Sequence, residues 1–141
     1  MSIQCIKIFE GKITIYELTD GPWRFEKFLK NLKGSQKECQ DIILGRLASV
    51  AENGIPQDIY RCKQFKGRPG IWEFILDKID VRVIWISEEL EIGQVKDVYL
   101  FNGAFKRKEK LSSDLLDNAQ KLRKKFIEAK LGGTLETIEE D

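Results

Sequence analysis

The sequence predicts an α+β domain in which two N-terminal helices lie on an antiparallel sheet and a third helix follows the last strand. Apolar residues recur at helical spacing in two neighbouring stretches between residues 22 and 54, and again after residue 112. Three short runs rich in branched and aromatic residues lie between them, at residues 71–76, 81–86 and 95–101. Connections of only a few residues join these runs, which favours antiparallel neighbours.

The first 18 residues predict either a hairpin or one long kinked strand. Apolar and polar side chains alternate from residue 4 to residue 18, and Glu10-Gly11 interrupts the alternation. A glycine at this place suits a turn as well as a kink. The sequence leaves both alternatives open.

Two helices are predicted next, over residues 22–33 and from residue 35 to the glycine at position 54. Ser35 and Glu38 form the S-x-x-E pattern of a capping box at the start of the second helix. Because a short joint at Gly34 separates two apolar stripes, we expect a helical hairpin that lies on the sheet.

The last helix is predicted to open at Ser112 or Ser113 and to bury one apolar stripe. The residues of this stripe are Leu115, Ala119, Leu122, Phe126 and Ala129. We assign residues 1–131 to a single domain. Residues 132–141 carry four acids and no base, and we expect this tail to be flexible.

Composition excludes several classes of function. The chain of 141 residues has no histidine, so the usual general base and metal ligand are missing. Its three cysteines are widely separated and form no CxxC pair, which indicates neither a disulfide framework nor a zinc site. We therefore predict no metal and no cofactor. No apolar run approaches the length that spans a bilayer, so we expect a cytoplasmic protein without a membrane partner.

Two basic segments concentrate positive charge in a chain whose net charge is only +1. Residues 61–68 hold four cations and no acid, and residues 105–110 hold four cations and one acid. Either segment could be a solvated loop, but two of them in one small domain point to a polyanion. Arg82 lies inside an apolar strand pattern, where it must face solvent, pair with a carboxylate such as Glu73, or bind an external anion.

Four motifs follow one another along the central and C-terminal parts of the chain. They are Lys63-Gln64-Phe65-Lys66-Gly67, Gly70-Ile71-Trp72-Glu73-Phe74, Arg82-Val83-Ile84-Trp85 and Ala104-Phe105-Lys106-Arg107-Lys108, with Ala119 in the helix after them. In order and spacing this series resembles the RelE/HigB superfamily of toxins from type II toxin-antitoxin systems, and most closely its phage-derived, HigB-like branch. The resemblance covers about residues 25–126.

The resemblance implies a RelE-like fold, with two N-terminal helices packed on a twisted antiparallel β-sheet and a C-terminal helix. It also implies a metal-independent endoribonuclease that cleaves mRNA in the ribosomal A site and so inhibits translation. The implied partners are the ribosome, mRNA and a cognate antitoxin from a neighbouring gene. We expect the antitoxin to carry a helix-turn-helix, so that operator DNA is contacted only through it.

Carried over by position, the resemblance implies a catalytic site made of Lys63, Lys66, Arg82, Lys106, Arg107 and Lys108. For RNA binding we single out Arg61, Arg68, Lys110 and the ring of Trp85. Glu73 is either a general base or the structural partner of Arg82.

Cleavage by the 2′-OH of the RNA itself needs a base, a proton for the leaving 5′-oxygen and positive charge at the phosphate. A lysine can act as the base only if its pKa falls toward neutral, and crowding among cations acts in that direction.

Two other functions remain open from the sequence. The chain could be a degenerate toxin that has lost catalysis and acts as an antitoxin-binding or RNA-binding protein. It could also be a gyrase inhibitor on the same fold, as in the related ParE branch, although the paired basic segments argue more for RNA.

Overall fold

The computed structural model describes residues 2–106 and 110–139. Within them the chain forms three α-helices and one seven-stranded sheet. The helices are α1 (Arg24–Lys30), α2 (Lys37–Asn53) and α3 (Ser113–Leu131). The strands are β1 (Gln4–Phe9), β2 (Thr14–Thr19), β3 (Cys62–Gln64), β4 (Ile71–Leu76), β5 (Val81–Ile86), β6 (Asp97–Phe105) and β7 (Glu136–Ile138).

The sheet is mixed, with the strand order β3-β4-β5-β6-β2-β1-β7. Strands β3 to β6 form an antiparallel meander, and β1 and β2 form an antiparallel hairpin, which decides between the two alternatives for the N-terminus. However, β2 pairs with β6 in parallel, and so does β7 with β1. The α+β class is therefore confirmed, whereas the expectation of an antiparallel sheet throughout is wrong. Long connections separate both parallel pairs along the chain, as parallel pairing requires.

Helices cover both faces of the sheet. One face carries the larger core, to which α1 contributes Phe25 and α2 contributes Ile43 and Leu47. On the opposite face, α3 buries Leu122 and Phe126 against the sheet. The C-terminal helix thus lies on the other side from the first two helices. The central strands are apolar on both faces for this reason.

Helix starts follow the predictions only in part. The hydroxyl Oγ of Ser112 accepts a hydrogen bond from the backbone N–H of Leu115 at 3.2 Å and caps α3. The expected capping box of α2 does not form, because residues 34–36 make a 3-10 turn and α2 begins at Lys37 without a side-chain cap.

A buried carboxylate fixes the start of α1. Glu17 lies on β2 and is 2% exposed. Its Oε2 accepts a hydrogen bond from the backbone N–H of Phe25 at 3.0 Å, and its Oε1 accepts one from Glu26 at 3.1 Å. Burial raises the pKa of Glu17 to about 7, although the two N–H donors act in the opposite direction. The first turn of α1 is therefore tied directly to the sheet.

Part of the segment expected to be flexible joins the sheet. Residues 136–138 form β7, and the Nε2 of Gln4 donates a hydrogen bond to the Oε2 of Glu136 at 3.1 Å. The last two residues of the acidic tail, at positions 140 and 141, lie outside the described part. Among the described residues no helix is both long and apolar enough to cross a membrane.

Two glycine-to-alanine substitutions are expected to change stability in opposite directions. In Gly103→Ala the new Cβ would overlap the ring of Phe28, which packs α1 on β6. We expect a loss of about 1–3 kcal/mol in the free energy of unfolding, measured by urea denaturation. Gly45→Ala places its Cβ in open space on α2 and should gain about 0.5–1 kcal/mol. Equal effects of the two variants would contradict the close approach of α1 to β6.

Glu17 is expected to make stability depend on pH. Because folding raises its pKa from 4.5 to about 7, the folded state holds the proton more tightly than the unfolded state. The contribution of Glu17 to the free energy of unfolding is fully present below its ordinary pKa of 4.5 and is lost as the pH rises through 7. Relative to Glu17→Gln, the wild type should lose roughly 3 kcal/mol across that range, measured by urea denaturation at several pH values. Parallel pH profiles for the two proteins would argue against a raised pKa.

Candidate functional site

Four of the singled-out side chains meet at one end of the sheet. Lys63 of β3 is the cross-strand partner of Glu73 of β4, and Arg82 of β5 lies diagonally from Glu73 across the next pair of strands. Lys106 follows the last residue of β6, and its charge acts on the Glu73 carboxyl. We call Lys63, Glu73, Arg82 and Lys106 the Glu73 cluster.

Strand alternation places this cluster on the face that carries α3. Ile71 and Ile84 pack under α3, and Glu73 follows Ile71 by two residues on β4. Arg82 precedes Ile84 by two residues on β5 and therefore points the same way. The Glu73 cluster thus extends the face covered by α3 toward the end of the sheet where β4 turns into β5.

An ion pair forms the centre of the Glu73 cluster. The Nε of Arg82 lies 3.2 Å from the Oε1 of Glu73, and its Nη2 lies 3.0 Å from the Oδ1 of Asp77. The Arg82 and Glu73 side chains are only 11% and 7% exposed. Although Nε and Oε1 are close, they are not aligned as a hydrogen bond, and neither atom has another hydrogen-bond partner among the described residues. The buried pair therefore keeps unused hydrogen-bonding capacity.

Opposing effects act on the ionisation of Glu73. Burial raises its pKa above the ordinary value, and the charges of Lys106, Arg82 and Lys63 oppose this effect. Asp77 adds a smaller contribution in the same direction as burial. The carboxyl is thus poised to exchange a proton nearer to neutral pH than an exposed glutamate.

The other singled-out cations lie around the cluster or outside it. Lys66 is exposed in the turn after β3, and Lys110 is exposed shortly before α3. Arg61 forms an exposed ion pair with Asp58. Arg68 binds Asp117 and Gln120 of α3 and so ties the turn after β3 to this helix. The predicted catalytic residues Arg107 and Lys108 lie outside the described residues.

Trp85 requires a correction. We expected its ring to stack on RNA, but Trp85 is fully buried in the core. Its ring stacks on Trp72 and Phe74, with centroid distances of 5.6 Å and 5.0 Å. The reason is that β5 is a central strand with both faces covered, so its aromatic side chains pack the interior. In this structure Trp85 offers no ring surface to a base.

Sequence reasoning missed Asp77, which shares Arg82 with Glu73. Asp77 opens the tight connection between β4 and β5, and Arg82 is the second residue of β5. One pattern in the sequence could have indicated Asp77. It is a carboxylate at the start of a short hairpin connection, five residues before an arginine of the next strand. Asp77 holds the guanidinium from the solvent side, because its own side chain is 69% exposed.

Within the described ranges, no group of three or more acidic, cysteine or histidine residues is arranged to hold a metal ion. No protein-family model matches this chain, and no curated protein matches it either. The resemblance to the RelE/HigB superfamily therefore stays a prediction. The Glu73 cluster offers three cations that can bind an anionic group. Beside these cations lies one carboxyl with a raised pKa.

The ion pair between Arg82 and Glu73 is expected to be strongly coupled. Arg82→Met should cost about 3 kcal/mol of unfolding free energy, because it leaves Glu73 buried without its nearest cation. Adding Glu73→Gln to this variant should restore most of the loss, measured by urea denaturation at neutral pH.

The matched control is Arg61→Met, which breaks an exposed pair and should cost less than about 0.5 kcal/mol. If the double variant is as unstable as Arg82→Met, then the two side chains are not coupled and the Glu73 cluster has no ionic centre.

Proposed function

We propose that the chain is the toxin of a type II toxin-antitoxin system and cleaves mRNA at the Glu73 cluster. Two observations support the proposal. The ordered motifs resemble the RelE/HigB superfamily, and the residues brought together include three of the six cations that the resemblance assigns to catalysis, namely Lys63, Arg82 and Lys106. The observation that carries the proposal is that Lys63, Arg82 and Lys106 surround the buried carboxyl of Glu73.

Phosphate binding is the first task of such a site. The Nη2 of Arg82, which lies 3.0 Å from the exposed carboxylate of Asp77, could exchange this partner for a phosphate oxygen, and a charge-assisted bond of this kind is strong in a partly buried site. Lys63 and Lys106 form no ion pair with any described residue and are free to approach a second oxygen. Together they would stabilise the negative charge that grows on the non-bridging phosphate oxygens as the 2′-oxygen attacks phosphorus.

Proton transfer is the second task. In the proposed reaction Glu73 accepts the proton of the 2′-OH, whose oxygen bonds to phosphorus while the bond to the 5′-oxygen breaks. Lys106 or Lys63 supplies the proton of the 5′-OH that leaves, and the other product ends in a 2′,3′-cyclic phosphate. A base works best when its pKa lies near the working pH, and burial raises the pKa of Glu73 in that direction.

The partners in this proposal come from the resemblance. The toxin would act on mRNA in the ribosomal A site and would be neutralised by a cognate antitoxin with a helix-turn-helix. Operator DNA would then be contacted only through the antitoxin.

A second candidate function is RNA binding without cleavage. Glu73 and Asp77 already pair with Arg82, which reduces the positive charge available to a transition state. The burial of Trp85 also removes one expected surface for holding a base in place. Both observations favour a site that binds phosphate more readily than it cuts.

Expression in bacterial cells tests the proposal. The wild type should arrest growth, and sequencing of RNA 5′ ends should locate cuts within translated mRNA. The Lys63→Ala/Lys106→Ala variant should lose at least about 100-fold in cleavage, because it removes two cations from the phosphate site. The matched control is Lys121→Ala/Lys124→Ala on the exposed side of α3, which removes the same charge and should cut like the wild type.

Three results would argue against cleavage at this site. Equal arrest by the wild type and the Lys63→Ala/Lys106→Ala variant would place activity elsewhere. RNA binding without any new 5′ ends would favour the second candidate function. DNA damage signalling with intact mRNA would indicate a gyrase inhibitor instead.

A further inference from the structure

A pocket of about 310 Å³ lies on the other face of the sheet from the Glu73 cluster. It opens between the N-terminal hairpin and the first two helices. Most of its wall is apolar, with Ile6 of β1, Trp23 before α1 and Leu44 of α2 as examples. This volume lies near the lower limit for pockets that bury small organic molecules.

One buried carboxyl interrupts the apolar wall. Glu17 is the cross-strand partner of Ile6 and faces the same side of the sheet. Its two oxygens accept hydrogen bonds only from backbone N–H groups at the start of α1, and among the described residues no cation forms an ion pair with it. The two nearby cations are engaged elsewhere, because Arg24 pairs with Asp20 and Lys7 with Glu10.

We propose that this pocket binds a small amine that carries a compact apolar group. The ammonium group would donate a hydrogen bond to Glu17, since each carboxylate oxygen can accept more than one. The apolar group would lie against Ile6 and Leu44, and the ring of Trp23 would attract the cation through its face. The proposal does not depend on RNA cleavage, because the pocket and the Glu73 cluster lie on opposite faces of the sheet.

Charge complementarity selects an amine over other small ligands. An anion would be repelled by Glu17, and a neutral molecule would leave the charge of the buried carboxylate without compensation. The other charged residues near Glu17 are Arg24 and Glu26 of α1 and Lys7 of β1, whereas α2 and β7 contribute the apolar Leu44 and Ile138. Lys7, Arg24 and Glu26 each already have an ion-pair partner. Glu17 has none among the described residues.

The proposed interaction has a defined pH dependence. Burial raises the pKa of Glu17 to about 7, so the carboxyl is mostly protonated at pH 6 and mostly ionised at pH 8. An ammonium group binds the ionised form, and the apparent affinity follows the fraction of protein in that form. We therefore expect the dissociation constant to fall by about tenfold between these two pH values.

A titration of the full chain with 2-phenylethylamine tests the proposal. Amide shifts in a proton–nitrogen NMR spectrum should change saturably at residues of β1, β2 and the start of α1. Two probes of similar size, 2-phenylethanol and 3-phenylpropionate, supply the neutral and anionic comparisons and should bind at least about tenfold more weakly. Absence of saturable shifts with the amine at millimolar concentration would overturn the proposal, and so would equal binding of the alcohol.

Two variants on one helix separate the pocket from the rest of the surface. Leu44→Trp should fill the pocket and abolish binding without changing Glu17. Ile42→Trp is the matched control, because Ile42 is exposed on α2 outside the pocket wall, and it should bind like the wild type. Unchanged binding in Leu44→Trp would place the amine elsewhere and overturn the proposal, even if Glu17→Gln does not fold.

Discussion

The parallel pairing of β2 with β6 is the interaction on which the rest of the structure depends. It joins the N-terminal hairpin to the antiparallel meander through four residue pairs, from Thr14 with Asp97 to Glu17 with Leu100. The joined sheet is wide enough to carry α1 and α2 on one face and α3 on the other. The same pairing sets Glu17 under the start of α1, so that helix position follows from strand register.

The two buried glutamates show how one sheet can hold opposite chemistry on its two faces. Glu73 is surrounded by side-chain cations, and its neighbourhood therefore attracts an anion. Among the described residues Glu17 accepts hydrogen bonds from backbone N–H groups and forms no ion pair, and its largely apolar neighbourhood favours a cation. Backbone dipoles compensate the charge of the Glu17 carboxylate only in part, and a full positive charge would compensate the rest. The difference between the sites lies in what surrounds the carboxyl, because the residue type is the same.

Local features were predictable from the sequence, whereas long-range ones were not. The predicted strands 71–76 and 81–86 match β4 and β5, and Ser112 caps α3 as expected, because alternation and capping act within a few residues. The cross-strand pairing of Lys63 with Glu73 was not predictable, because it depends on the register of β3 against β4. The parallel pairs were missed, since periodicity does not specify a partner strand. Trp85 was misjudged because an aromatic residue in a strand gives no sign of whether helices cover both faces.

The pairing of β7 with β1 has a consequence for synthesis of the chain. Gln4 and Glu136 are 132 positions apart, so the first strand leaves the ribosome long before its outer neighbour exists. Strand β2 is likewise synthesised well before β6, the strand with which it pairs. Contacts so distant in sequence slow folding and leave strand edges open to other chains in the meantime. Newly made copies therefore stay vulnerable to aggregation until residues 136–138 have been synthesised and can pair with β1.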